Sequence, residues 1–407
     1  MTAAIVLSAQ TTALGIVRAL GVMGVPVVVV HYDWRDIAQH SRYVVEKVSA
    51  THPEVDEEAF VATILKLSDR WKDAVLFPAS DETLLIAARH KDLLNRHFQV
   101  ACPDYALVLQ VIDKRKTCLL AAAAGVPVPQ TLLPTSVAEL KEFGCMIGFP
   151  CLLKPAQSHL FFGHFRRKMF IADNQGTLLD AYLQACDAGL DMMVQEIIPG
   201  SDQEVVNYNS YSHSGTPLVE FMADHVRNAP LHYGSPRVAC SSNLPGLIAP
   251  GRQLMRALGF SGFTCVEFKR DPRDGRFKLM EINGRHNLST LLAVRCGINF
   301  PWLEYKHLAY GTIPEPHAYE SGIYWIDMTR DIAYSLRNAF SERYAPASYL
   351  RPYLSPKVWA IFDYADPKPF RQRIRSLAGY MACNSGMCKH FKPRMVKQIG
   401  HEGPVLR

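Results

Sequence analysis

Phe263-Thr264-Cys265-Val266-Glu267-Phe268-Lys269, followed by Asp271-Pro272-Arg273-Asp274-Gly275 and then by Phe277 to Arg285, is the stretch on which the reading of this chain turns. The first run is rich in β-branched and aromatic residues. The Asp-Pro-Arg-Asp-Gly cluster is a turn, so the whole reads as a hairpin. Side chains alternate between faces along a strand, which puts Glu281, Asn283 and Arg285 on one face of the return strand and Glu267 with Lys269 on one face of the outgoing strand. A turn centred near Asp274 sets Glu267 opposite Glu281, with Cβ atoms about 4.5–5.5 Å apart. Two carboxylates so close repel unless a cation relieves them. Oxygen-only ligands favour magnesium over zinc, and magnesium takes one or two carboxylates with water and phosphate oxygens in its other positions. Asn283 adds a neutral oxygen and Arg285 a forked donor for phosphate or acyl-phosphate oxygens. The bland alternative is a solvated hairpin face partly neutralised by Lys269.

Upstream, Ala4 to Leu7, a helical stretch through Leu20, and the run Val25 to Val30 form a strand–helix–strand unit. Continuous apolar strands of this kind fit a parallel sheet covered on both faces. Ala74 to Phe77 is a further strand that enters the polar turn Pro78-Ala79-Ser80-Asp81-Glu82, and ligand groups are expected at such strand ends. A dinucleotide site needs G-x-G-x-x-G after the first strand, whereas Ser8-Ala9-Gln10-Thr11-Thr12 occupies that turn, which disfavours nicotinamide or flavin chemistry. Beyond it, Asp113 caps a helix that ends at Gly125, and Thr135 to Phe143 is a second helix. Phe149 to Lys154 and Met192 to Ile198 read as strands, and Glu204 to Tyr211 and Leu218 to Asp224 as antiparallel strands. The expected architecture is therefore α/β followed by α+β.

The 407 residues are 48% hydrophobic and 20% charged, an ordinary globular composition. The apolar run Val25 to Val30 is far short of the about 20 residues that span a bilayer. Met1 to Gln10 lacks the features of a secretory leader, so a cytoplasmic location with free thiols among the ten cysteines is the expectation. The net charge of +6 comes from the end of the chain: from Lys368 to Arg407 nine Lys/Arg stand against Glu402, leaving −2 for the rest. Nucleic acid is accordingly not an expected partner. Phe370, Ile374, Leu377 and Met381 recur at helical spacing among Arg371, Arg373 and Arg375. Such a helix lies on an anionic membrane or packs its apolar stripe on its own protein, and packing is the preferred reading. Cys383, Cys388 and His390 lack a fourth ligand at zinc spacing.

Gly148-Phe149-Pro150-Cys151-Leu152-Leu153-Lys154-Pro155, Lys114 after Asp113, Gln195-Glu196-Ile197-Ile198 followed by Glu204, and the Glu267, Glu281, Asn283, Arg285 set occur in an order that resembles the ATP-grasp superfamily. The likeness extends from Met1 to about Pro314 and points to carboxylate–amine ligases and to the ATP-binding half of carbamoyl phosphate synthetase. It implies an open parallel α/β (pre-ATP-grasp) domain at 1–110, then a two-lobed ATP-grasp domain at 111–314 divided near 194/195. A basic C-terminal extension, 315–407, follows. It further implies that Lys114 and Lys154 hold the ATP phosphates, that Gln195, Glu196, Ile197 and Ile198 border the adenine, and that Glu204 binds the ribose. Glu267, Glu281 and Asn283 would hold two Mg2+ (or Mn2+), and Arg285 would stabilise the transferring phosphoryl group.

The activity implied is ATP-dependent joining of a carboxylate to an amine through an acyl phosphate, by a homo-oligomer acting on small molecules. Alternatives are carboxylation, phosphotransfer or a non-catalytic ATP-binding module. Substrate contacts are expected from Arg227 and Arg237, flanking Pro230 to Gly234, and from Ser80, Asp81 and Glu82, whose acids suit an amine. His286 and Asn287 are further candidates, with helix capping by Asn287 as the alternative. One departure is the segment from Ala156 to Lys168, which carries a single glycine where the superfamily has a glycine-rich loop. Arg166, Arg167 and Lys168 are expected to supply charge there and the aromatic cluster to exclude water.

Overall fold

The computed structural model describes residues 1–155, 158–167, 169–342 and 344–384, with side chains omitted at 158–160, 162 and 380–384. Three sheets organise the chain. The first is parallel and holds β1 (Ala4–Leu7), β2 (Val27–His31), β3 (Val44–Ser49), β4 (Val75–Pro78) and β5 (Gln99–Val100) in the order β3-β2-β1-β4-β5. Its apolar runs are explained by burial on both faces. Ala4, Val6, Val27 and Val29 enter one core, while Ile5, Leu7, Val28 and Val30 enter another. The expected open α/β unit is therefore present.

The second, four-stranded sheet contains β6 (Thr131–Leu132), β7 (Cys151–Pro155), β8 (Phe170–Ala172) and β9 (Met192–Glu196), ordered β6-β9-β7-β8. The helices Val137–Ile147 and Gln175–Asp187 pack on it around Leu140, Leu153, Leu178 and Val194. The described part of its segment after Lys154 contains a helix where a loop is expected. Ser158–Phe165 is helical, and the buried Phe161 packs with Phe170 and the half-buried Phe165 in the core on this sheet, while the Phe162 side chain lies outside those described. Arg166 is exposed, Arg167 lies over the Phe170 ring, and Ala156, Gln157 and Lys168 fall outside the described residues.

The third sheet is the largest: β10 (Val205–His213), β11 (Thr216–Ala229), β12 (Ser235–Ser242), β13 (Gly262–Arg270), β14 (Phe277–Asn283), β15 (Tyr324–Ile326) and β16 (Lys357–Trp359), ordered β14-β13-β10-β11-β12-β15-β16. Ser214 and Gly215, both at positive φ, make the tight β10–β11 turn that matches strand twist. One face, with Tyr208, Val266, Phe268 and Leu279, packs on the helix Pro245–Leu258. On the other, Tyr211, Phe221, Ala223 and Cys265 share a core with the parallel sheet, which fixes the two sheets against each other.

The stretch after residue 314 is built into this body, for it supplies β15 and β16. The helix Met328–Arg337 brings Asp331 onto Arg227 of β11 (2.8 and 2.9 Å, two-pronged) and Arg237 of β12, with all three side chains at most 1% exposed. The helix Lys368–Asn384 follows the preferred packing reading in part. Phe370 packs on the core and Gln372 Nε2 donates to Trp34 O, while Ile374 stays half-exposed. Its last side chains, with Met381 and Cys383, and the residues 385–407 with Cys388 and His390, lie outside those described. Among the described residues no helix is long and apolar enough to cross a membrane.

Truncating one partner of a buried ion cluster strands the other charges. Asp331→Ala is therefore expected to cost about 3–5 kcal/mol in urea unfolding; a loss below about 1 kcal/mol would contradict the clamp.

Candidate functional site

The hairpin β13–β14 pairs Glu267 with Glu281 and Cys265 with Asn283, as expected, although its turn alone, with Arg270 opposite Phe277, would set Glu267 against Met280. A bulge falls between Glu267 and Phe268, after which Phe268 pairs with Leu279. Bulges of this kind re-aim side chains beside functional sites. The hairpin tip is held to the four-stranded sheet, through Glu196 of β9, by a four-membered charge cluster. Arg273 donates to Asp271 and, at 2.7 Å, to Glu196 Oε2, and Lys278 Nζ lies 2.7 Å from Asp271 and 3.1 Å from Glu196. The Asp271 carboxyl is held far below the usual carboxylate range, first by the Arg273 guanidinium. Glu196 Oε1 also accepts from Gln130 N at 2.9 Å, so this carboxylate is a structural tie between lobes.

The repulsion between Glu267 and Glu281 meets a cation from the protein itself. Lys114 opens the helix Lys114–Ala123, whose cap is Asp113, and its Nζ lies 3.0 Å from Glu281 Oε1. Glu281 is the main cause of a raised Lys114 pKa, with Glu267 and Asp81 adding to it. Lys154, at the end of β7, lies among the same charges. Its Nζ donates to Gln195 Oε1 at 2.7 Å, and burial, then the Lys114 charge, lowers its pKa to about 8. Gln195 is fixed in turn by donating to Thr131 Oγ1 at 2.8 Å.

The N-terminal sheet contributes from the end of β4. Asp81, the first residue of the helix Asp81–Arg89, takes both prongs of Arg285 at 2.7 and 3.0 Å. Ser80 caps that helix in a reciprocal box with Thr83, and Glu82 is partly exposed beside it. The geometry thus gathers Lys114, Lys154, Glu267, Glu281, Arg285 and Asp81 from three sheets. Asn283 lies on the same face, one pair along from Glu281. Ile198 is buried and Ile197 half-buried just beyond β9, and Glu204 ends the short turn Asp202–Glu204 that leads into β10.

Other candidates sit elsewhere. Arg227 and Arg237 are not loop residues open to a carboxylate substrate, for both are fully buried and engaged by Asp331. Arg237 also pairs with Glu342. Asn287 does not cap a helix: the helix Thr290–Arg295 starts after Ser289, and Asn287 Nδ2 donates to Asn209 Oδ1 at 2.8 Å. His286 is buried, stacked on Phe263 and hydrogen-bonded to Glu304 at 2.9 Å.

The donor set suits a hard divalent cation. Two carboxylates share one rung, an amide lies alongside, and an ammonium already stands at Glu281 as a cationic partner. Among the described residues no three His, Cys, Asp or Glu cluster into a metal centre of their own, so the remaining ligands would come from Asn283, water or a bound phosphate.

No model of a known protein family matches the chain. It is 27% identical over 265 residues to the D-aspartate ligase of Enterococcus faecium, covering 60% of this chain and 62% of that protein. It is 24% identical over 209 residues to the D-alanine–D-alanine ligase of Pseudomonas fluorescens, covering 49% and 62%. The chain thus spans less than two thirds of the length of either relative. In three dimensions it superposes on the biotin carboxylase of Campylobacter jejuni, solved with β,γ-ATP, with a TM-score of 0.63, 18% identity and coverage of 79% of this chain and 74% of that one.

Lys154 bears a desolvation burden that changes with pH. Its folded pKa of about 8 lies below the ordinary 10.5, so from pH 8 to 10.5 the unfolded chain binds more protons and stability rises with pH. Lys154→Met is accordingly expected to stabilise the ligand-free protein at pH 7, by roughly 1–3 kcal/mol. That advantage should shrink as pH climbs from 8 to 10.5. A difference in melting temperature that does not vary with pH would contradict it.

Proposed function

We propose that this chain, a member of the ATP-grasp superfamily, is an ATP-dependent ligase that joins a carboxylate to an amine. The observation that carries the reading is the Glu267–Glu281 rung facing Lys114, with Lys154 and Arg285 close by. This is an arrangement for polyphosphate: cations for the phosphate oxygens, and carboxylates for the metal ions that accompany them. The names of the two related ligases support an amino-acid-like substrate.

In this reading ATP lies between the four-stranded and seven-stranded sheets, with Gln195 to Ile198 along the adenine and Glu204 at the ribose. Lys114 and Lys154 hold the phosphates. Two Mg2+ at Glu267, Glu281 and Asn283 would supply neutralisation of the phosphate charge. A substrate carboxylate oxygen attacks the γ-phosphorus and the β–γ bridging bond breaks, giving an acyl phosphate and ADP. The amine nitrogen then attacks the acyl carbon, phosphate leaves, and the nitrogen loses a proton to form the amide. Arg285 leaves Asp81 to meet the transferring phosphoryl oxygens, and Asp81 and Glu82 then face the amine. No side chain serves as covalent nucleophile; the protein's tasks are orientation, charge and exclusion of water from the acyl phosphate.

The same proposal divides the chain at 1–110, 111–194, 195–314 and 315–407, and takes the protein to be a cytoplasmic homo-oligomer acting on small molecules. The eight cysteines whose side chains are described are free thiols, in keeping with that compartment.

ADP release across pools of amino acids (D-aspartate and D-alanine first), hydroxy acids and keto acids tests the reading. The expected result is turnover that needs two pool members together and yields an amide by mass spectrometry, with at least a 100-fold loss in Glu281→Gln. ADP release unaffected by Glu281→Gln, or a carboxylated or phosphorylated product without an amide, would sink it.

A further inference from the structure

The sheet face beside Glu267 carries polar groups that neither the fold nor the proposed roles employ. Asn207 of β10 pairs directly with Glu267, so Glu281, Glu267 and Asn207 form one row across three adjacent strands and point to one face. Asn207 is 4% exposed and its Oδ1 has no hydrogen-bond partner. Its neighbour Asn209, on the same strand and face, shows what a structural asparagine looks like here: Nδ2 donates to Phe221 O and Oδ1 accepts from Asn287. One strand beyond, His225 of β11 is 1% exposed, and neither ring nitrogen makes a hydrogen bond of good geometry, although the Asn228 side chain lies near enough to favour the charged ring. Its Nε2 lies 4.0 Å from Glu267 Oε2, too far for a hydrogen bond and close enough to form one after a small rotation. An imidazole carries at least one N–H to give in either protonation state. Buried polar groups left without partners cost about 1–3 kcal/mol each, and the common reasons for tolerating them are an absent water, ion or ligand.

We infer that Asn207 is a further oxygen donor toward the divalent cation–nucleotide complex and that His225 is a positioning residue which donates to Glu267 and fixes its carboxylate toward that complex. The inference rests on the proposed ATP site but adds two residues to it. A three-strand row of Glu281, Glu267 and Asn207 gives a broader oxygen floor than the acidic pair alone, and the imidazole keeps the central carboxylate from turning away. Partners of this kind typically govern 10- to 100-fold in metal affinity.

The test is Mn2+ binding to the full-length protein with saturating ADP, followed by electron paramagnetic resonance, alongside ADP binding in EDTA. Asn207→Leu and His225→Leu are expected to weaken Mn2+ by at least 10-fold and to leave metal-free ADP affinity within two-fold. His225→Gln, which keeps a donor, is expected to recover most of the loss, and Asn207→Asp to tighten Mn2+. Should a leucine variant fail to fold, the Gln and Asp variants alone decide: unchanged Mn2+ affinity in Asn207→Asp, or a loss of 10-fold or more in His225→Gln, overturns the inference. Wild-type affinity in both folded leucine variants also overturns it, while leaving the ATP site intact. Wild-type protein that binds no ADP in either assay removes both readings.

Discussion

Two like charges on one rung of a β-hairpin are the constraint around which the rest of the site is arranged. A pair such as Glu267 and Glu281 destabilises a hairpin in isolation. It persists because the chain brings positive charge to it from outside the hairpin: Lys114 from the helix after the parallel domain, Lys154 from the small lobe and Arg285 from the end of the return strand. The hairpin itself is anchored by the Asp271, Arg273, Lys278 and Glu196 cluster, so the carboxylates cannot relax apart by fraying of the tip. Electrostatic strain at the rung and structural ties around it are complementary. The ties hold the geometry, and the two carboxylates, with Lys114 already at Glu281, are the groups placed to accept a divalent cation.

Much of this was legible in the sequence because it is local or periodic. The turn signal Asp271 to Gly275 shows the hairpin, and alternation puts Glu281 and Asn283 on one face; the bulge beside Glu267, which brings Glu281 rather than Met280 opposite it, has no local signal. The apolar runs of β1 and β2 announce a parallel sheet for the same reason. The missing pieces are long-range. Nothing near Arg227 or Arg237 reveals that Asp331, 104 residues after Arg227, takes both guanidinium groups, and a charged pair flanking a turn reads locally as an open loop. Arg285 and Asp81 are 204 residues apart and meet only through tertiary structure. The tie that the Glu196 carboxylate makes to Arg273 and Lys278 across 77 and 82 residues is equally invisible locally. The segment at 158–165 reads as a loop by its position after a strand, whereas Phe161 and Phe165, four residues apart, fall on one face of a helix. Asn207 and His225 carried no signal at all, since a buried asparagine and histidine on strands look ordinary until their partners are counted.

The residues after 314 bear on how the site holds together. They add β15 and β16 to the edge of the large sheet, clamp β11 and β12 through Asp331, and reach back to the parallel domain through Asp366, which accepts from Arg18, Ser41 and Arg42. The large lobe and the N-terminal domain are therefore fastened together at two levels, by a shared apolar core and by a buried ion pair. The small lobe is attached chiefly through the hairpin tip and the Pro127–Gln130 stretch, where Leu279 N donates to Pro127 O. The carboxylate rung and Arg285 therefore belong to one hairpin, and Lys154 to the four-stranded sheet.

The central claim is that the rung, only partly offset by Lys114 in the ligand-free protein, is completed by a divalent cation that arrives with a polyphosphate. Its most direct test is the melting temperature of Glu267→Gln beside the unaltered protein, each measured in EDTA and in Mg2+ with ADP. Relief of the repulsion predicts a higher melting temperature for the variant in EDTA and little or no further rise with Mg2+ and ADP, where the unaltered protein rises by several degrees. A variant that melts lower in EDTA yet gains as much as the unaltered protein from Mg2+ and ADP would contradict the account.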